Sequence, residues 1–253
     1  MLGADRNMGC GERPPTGISW VFEHVEQAII LEDDCVPDLS FFYFAEELLR
    51  KYANDERVMH IAASSFQEHN PRFNIKESYY ESFLPNWFGC FATWKRAWKF
   101  YDYDMKTWPA LRDSGALVER FHNPAAYERF AKVWDAYYHK QITNSSDGQW
   151  HFACMSRNAF CLTPAMNLVK NIGFNERGTH TKQPDQRSEL PLHTMRFPLV
   201  HPQTLEFNRN ADNYTFRFYF GIDKKLRYRF VRPFKNLFPG AYAAIKRTFK
   251  NGS

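Results

Sequence analysis

Residues 28–38 read Ala-Ile-Ile-Leu-Glu-Asp-Asp-Cys-Val-Pro-Asp, four apolar residues that run directly into Glu32, Asp33 and Asp34. An apolar run this short reads as a buried parallel strand that delivers carboxylates at the C-terminal edge of an open α/β sheet, where such sheets bind their ligands. Three adjacent anions repel one another. A hard divalent cation, Mn²⁺ or Mg²⁺, offsets that repulsion through oxygen ligands and can bridge to a phosphate. The other reading of the same acids is the negative first turn of the helix that follows, because Pro37, Asp38 and Ser40 carry helix-start chemistry.

The pattern on either side extends the α/β reading. Ile18, Val21, Phe22 and Val25 share one helical face over 14–26, with Pro14 and Pro15 at the start. Phe41, Phe44, Ala45, Leu48 and Leu49 do the same over 40–52, and Val58 to Ala63 forms the next strand pattern. Helix, strand, helix, strand in succession predicts a parallel α/β sheet. Residues 64–85 read as loop, Ala92 to Tyr101 as helix, and the stretch ending at His139 as helical with Phe121, Tyr127, Phe130, Val133, Trp134 and Tyr137 inward. Gln149 to Asn158 reads as a helix and Ala159 to Thr163 as a short strand.

Composition bounds the function classes. The chain has 253 residues, 44% hydrophobic and 17% aromatic, enough to bury a core of its own. Five cysteines, with no CxxC spacing, argue against a disulfide framework and a thiolate zinc site and suit a reducing cytosol. No apolar run approaches the ~20 residues of a membrane span, and the first residues lack a signal-peptide apolar region. The net charge of +5 divides unevenly: Arg217 to Ser253 holds ten Lys or Arg and one acid, Asp223, so the tail carries +9 and the rest −4. No nucleic-acid-binding module accompanies this charge. The interleaved Phe230, Phe234, Leu237, Phe238, Tyr242, Ile245 and Phe249 suggest instead peripheral contact of residues 217–253 with the inner face of a membrane; a solvated extension is the alternative. The expected division is a domain over 1–200 and a basic aromatic extension over 201–253.

Four further segments carry chemistry: Asn7-Met8-Gly9-Cys10-Gly11, Phe88-Gly89-Cys90-Phe91-Ala92-Thr93-Trp94-Lys95-Arg96-Ala97-Trp98, Ser145-Ser146-Asp147-Gly148-Gln149-Trp150, and Asn171-Ile172-Gly173-Phe174-Asn175-Glu176-Arg177-Gly178-Thr179-His180-Thr181. With the acids at 32–34 they occur in an order that resembles bacterial nucleotide-sugar glycosyltransferases of the GT-A fold, often filed under family 2. More distantly, the acidic motif and the Phe41-Phe42 helix after it are similar to the eukaryotic N-acetylglucosaminyltransferases that initiate complex N-glycans. The resemblance covers about residues 7–181. It implies a GT-A-like mixed sheet flanked by helices. Only 27 residues precede the strand at 28–31, and none of them forms a convincing strand, so the first strand-helix units of such a fold, which form the nucleotide pocket, are expected to be missing.

The resemblance further implies a metal-dependent inverting transfer from a nucleotide-sugar donor to a glycan or lipid-linked acceptor. Asp34 would be the direct ligand of Mn²⁺ or Mg²⁺, with Glu32 and Asp33 holding metal-bound water or ribose, and His180 completing the shell or contacting the diphosphate. A divalent ion would offset the charge that builds on the leaving diphosphate. Asp147 matches the acid that deprotonates the acceptor hydroxyl; an N-cap for the helix at Gln149 is its other reading. In the related segment the acid is flanked by aromatic rings, where this chain has Ser146 and Gly148. Trp87, Gly89 and Trp150 would line the sugar, since aromatic faces stack on its C–H surface, although core packing also uses such rings. His60, His69, His122, His139 and His151 show no metal-ligand spacing. A noncatalytic domain that binds metal, glycan or a partner is the alternative function.

Overall fold

The computed structural model describes Gly3 and residues 5–86, 89–173 and 189–222. In chain order the elements are α1 (Gly9–His24), β1 (Gln27–Leu31), β2 (Cys35–Pro37), α2 (Ser40–Lys51), β3 (Val58–Ala62), β4 (Tyr79–Ser82) and β5 (Cys90–Trp94). There follow α3 (Lys95–Trp98), α4 (Trp108–Asp113), α5 (Val118–Phe121), α6 (Pro124–Tyr138), α7 (Asp147–Ser156), β6 (Phe160–Pro164), β7 (Val169–Asn171) and α8 (Arg209–Phe218). Five strands form a mixed sheet in the order β1-β5-β3-β6-β4, and β2 pairs with β7 in a separate two-stranded ribbon.

The fold is α/β with helices on both faces, but its sheet is not the parallel one that the alternation suggests. Only β3 and β6 run parallel; the other pairs are antiparallel. β1 is an edge strand rather than a buried central one, pairing only with β5 among the described residues, and both of its end residues are exposed. Its apolar run follows from helices covering both faces. Ile29 packs against the cluster that holds Phe41, Phe44 and Leu48 of α2, whereas Ala28 and Ile30 pack against the cluster that holds Ile18 and Phe22 of α1 together with Trp98 and Trp150. A strand covered twice needs no polar alternation. Val25, the last residue of the expected α1 face, lies past the helix end and is exposed.

Three other segments differ from the sequence pattern. Cys90 to Trp94 forms β5, buried at every position, and the helical part of the expected 92–101 helix is confined to 95–98. Within the expected loop, Tyr79 to Ser82 forms β4, pairing antiparallel with β6. Three helices, α4, α5 and α6, replace a continuous helical stretch and build an aromatic core of Trp108, Phe121, Phe130 and Trp134 against α7 and α8.

The packed body also continues beyond residue 200. The Asn208 amide donates to the Glu81 carbonyl at 2.8 Å, and Gln67 Nε2 donates to Thr215 Oγ1 at 3.0 Å. Asp212 anchors α8 to the end of β4, accepting from Ser82 Oγ at 2.6 Å and from the Phe83 amide at 3.1 Å. Residues 223–253, most of the basic tail, lie outside the described residues.

Burial of Asp212 pushes its carboxyl up to about 6, against the pull of the Ser82 and Phe83 hydrogen bonds and of Arg209. The folded chain therefore holds a proton that the unfolded chain, with its aspartate at 3.8, releases. The stabilisation present below pH 3.8 is lost as pH rises towards 6, a difference of about 3 kcal/mol. Asp212→Asn, which keeps an acceptor for Ser82 and Phe83, is expected to raise the urea midpoint at pH 8. The gain should vanish near pH 4, and a pH-independent effect would contradict the assignment.

Candidate functional site

The acidic motif is a turn built by its neighbours. The β1–β5 ladder extends through Glu32, whose amide donates to the Gly89 carbonyl at 2.8 Å; Cys35 N then donates back to the Glu32 carbonyl at 3.2 Å, closing the turn around Asp33 and Asp34. β2 starts immediately, with Cys35 opposite Asn171 of β7. The acids thus precede β2 and do not belong to α2, whose start is served by Asp38, accepting from the Ser40 amide at 2.9 Å.

The segment after β7 folds over this turn. Ile172 N donates to the Asp34 carbonyl at 2.7 Å. Asn171 Nδ2 lies 3.4 Å from Asp34 Oδ1 and 3.2 Å from Cys35 Sγ. Gly173 comes so close that a Cβ there would stand 2.1 Å from Asp34 Oδ2. Gly89, at φ +83°, is held to glycine on two counts: its backbone is left-handed, and a Cβ would meet Cys35 Sγ at 1.8 Å. Neither Gly173 nor Cys35 carries a role in the sequence reading; a glycine two residues after an asparagine is too common a pattern to reveal contact with an acid.

Ligand atoms of Glu32, Asp34 and Cys35 lie within 4.8 Å of one another. Glu32 is exposed and Asp34 half-buried. The Cys35 thiol donates to Asp34 Oδ1 at 3.2 Å, and its hydrogen bond with Cys90, its burial and the neighbouring Asp34 all push it well above the ordinary thiol range. A protonated thiol leaves carboxylate oxygens as the donor set, which fits a hard divalent ion. Asp33 is exposed and outside this group. His180 and Trp87 lie outside the described residues.

Asp147 opens α7. β6 enters the sheet beside Val58, at the end opposite the acids, so the helix that feeds it starts towards the acidic end and runs away from it. Trp150, one turn into α7, lies against Phe91, which pairs with Ile30 next to the end of β1. The first turn of α1 meets the same region: a Cβ on Gly11 would stand 2.0 Å from the Thr143 carbonyl, just ahead of α7. The topology therefore gathers the Asn7–Gly11 segment, the acidic turn, Gly89, Asp147 and Asn171–Gly173 at one end of the sheet.

Asp147 is half-buried, and Oδ1 accepts hydrogen bonds from Tyr137 Oη at 2.7 Å and from Ser145 Oγ. Burial works to push its carboxyl up, but His151 beside it and the Ser145 and Tyr137 hydrogen bonds prevail and hold it below its usual range. At neutral pH Asp147 is a carboxylate, the form a proton acceptor needs. It does not cap α7 in the usual way: the helix begins at Asp147 itself, and Ser146 before it makes no side-chain cap.

Trp150 is fully buried, which makes it a packing residue rather than a sugar platform. Its Nε1 donates to His60 Nδ1 at 3.1 Å, and Trp98 lies 5.0 Å from it, centroid to centroid. Burial pushes the His60 imidazole down to about 3, so it stays neutral at physiological pH. Among the described residues no helix is long and apolar enough to cross a membrane. Compared with known proteins, the chain matches no protein-family model and no curated protein.

Gly89→Ala is expected to lower the free energy of unfolding by about 2 kcal/mol or more, since it combines a left-handed backbone with a collision. Gly17→Ala, inside α1 with nothing within 4 Å of the added methyl, should instead stabilise by about 0.5–1 kcal/mol. Urea denaturation of the two variants checks the contrast.

Proposed function

We propose that the chain is a metal-dependent inverting glycosyltransferase of the GT-A type that moves a sugar from a nucleoside diphosphate donor to a hydroxyl of a glycan or lipid-linked acceptor. The observation that carries this reading is the gathering of sequence-distant segments at one sheet end, with Glu32 and Asp34 on the acidic turn and an ionised Asp147 at the start of α7. Glu32 and Asp34 would hold Mn²⁺ or Mg²⁺, which when bound stabilises the negative charge of the departing nucleoside diphosphate. Asp147 takes the proton of the acceptor hydroxyl as its oxygen bonds to the anomeric carbon. The glycosidic electron pair leaves with the diphosphate, and configuration inverts because base and leaving group stand on opposite faces of the sugar. Contact of the basic tail with an anionic membrane surface would place the enzyme near a lipid-linked acceptor.

A second reading, a noncatalytic domain that binds metal or glycan, is favoured by one observation: Trp150 is fully buried, so the aromatic platform that the transfer reading expects beneath the donor sugar is not offered by that ring.

Titration calorimetry with uridine and guanosine diphosphate sugars, with and without Mn²⁺, separates the two. Asp34→Ala should abolish Mn²⁺-dependent donor binding. Asp147→Asn should preserve binding and reduce transfer by about 100-fold or more. Equal donor affinity with and without Mn²⁺ would overturn the metal assignment, and metal binding without any donor binding would favour the noncatalytic reading.

A further inference from the structure

Asp147 is followed by Gly148, and the space that this glycine leaves is taken by a ring from another helix. A Cβ on Gly148 would stand 2.0 Å from Cε2 and 2.4 Å from Cδ2 of Tyr137. Tyr137, in the last turn of α6, is itself buried in the aromatic core, and its hydroxyl reaches Asp147 Oδ1 at 2.7 Å. Ser145 Oγ donates to the same oxygen. The aromatic partner that the acid lacks in its own segment is thus supplied from α6, through a gap that only glycine leaves open.

We propose that Tyr137 is the positioning residue of Asp147, with Gly148 as the clearance that admits it and Ser145 as the second donor. This inference rests on the base assignment above. Two donors on Oδ1 fix the rotation of the carboxylate and leave proton acceptance to Oδ2. They also favour the charged form, because hydrogen bonds to a carboxylate stabilise it over the acid. Among the described residues, the titratable groups facing Asp147 besides these donors are His151 on the same helix and Tyr101 from the segment after α3. His151 attracts the Asp147 carboxylate through its charged form, which burial disfavours, and it engages the Pro85 carbonyl; Tyr101 is pushed far above neutrality by burial; neither donates a hydrogen bond to the Asp147 carboxylate, so neither replaces the Tyr137 donor.

The experiment is a pH titration of the Asp147 carboxyl carbon by NMR on protein labelled with ¹³C at aspartate Cγ, the resonance being identified by its loss in Asp147→Asn. It needs no substrate. Tyr137→Phe keeps the ring and removes the donor, and is expected to raise the Asp147 midpoint by about one pH unit with little change in Tm. Gly148→Ala should give a shift in the same direction by displacing the ring, and Tyr137→Phe/Gly148→Ala should add nothing further to it. In transfer assays the acid limb of the kcat profile of Tyr137→Phe should move up with the NMR midpoint, with kcat down about tenfold and donor KM unchanged. An Asp147 midpoint identical in wild type and Tyr137→Phe overturns the positioning role. Full transfer by Asp147→Asn would instead overturn the base assignment beneath it, and the two failures are read independently.

Discussion

The hydrogen bond from the Ile172 amide to the Asp34 carbonyl, 2.7 Å, closes the return of the chain onto its own acidic turn. The β2–β7 ribbon brings Cys35 opposite Asn171, and this bond continues the pairing just far enough for Gly173 to pass beside the Asp34 carboxylate. On the other side the Glu32 amide and the left-handed Gly89 fix where β1 ends. Consecutive carboxylates repel, and a free turn would relax by splaying them apart. Here backbone on both flanks holds Glu32 and Asp34 close, an arrangement that a cation would stabilise.

The half of the site that carries Asp147 is tied to the half that carries the acids through a neutral buried imidazole. His60 accepts from Trp150 of α7 on one nitrogen, and its other nitrogen bonds the Asn86 carbonyl at 3.3 Å, three residues before Gly89. Its ring also stacks on Phe91 with centroids 5.0 Å apart. A buried histidine costs little when it is uncharged and both nitrogens have partners. The cluster of His60, Phe91, Trp98 and Trp150 therefore joins β3, β5, α3 and α7, and the acidic turn and Asp147 stand at the ends of elements that this packing holds.

What could be read from the sequence was local; what could not was partnership. The run from Ala28 to Leu31 declares a strand, yet its edge position and antiparallel neighbour are invisible, because apolarity reports coverage of the two faces and says nothing of the strand alongside. Cys90 to Trp94 imitates a helix since both faces are buried and no period of two survives. The same blindness affects Trp150: α7 is buried almost all round, so the neighbouring glycine and polar residues suggest an accessible ring where the fold has a core. The acids and Asp147 were legible by type and order, whereas Tyr137, Asn171 and Gly173 were not, because each acts on a residue that the fold, not the sequence, brings near. Gly148 was the one available hint, a missing side chain beside an acid implying that something else fills the space.

The central claim is that one end of the sheet holds both a cation and the proton acceptor. The most direct measurement is an anomalous difference map at the manganese edge from crystals grown with Mn²⁺ and a nucleoside diphosphate. The expected result is a single strong peak between the Glu32 and Asp34 carboxylates, with the diphosphate on the side facing the start of α7. A peak held by other residues, or a diphosphate bound away from Asp147, would contradict it.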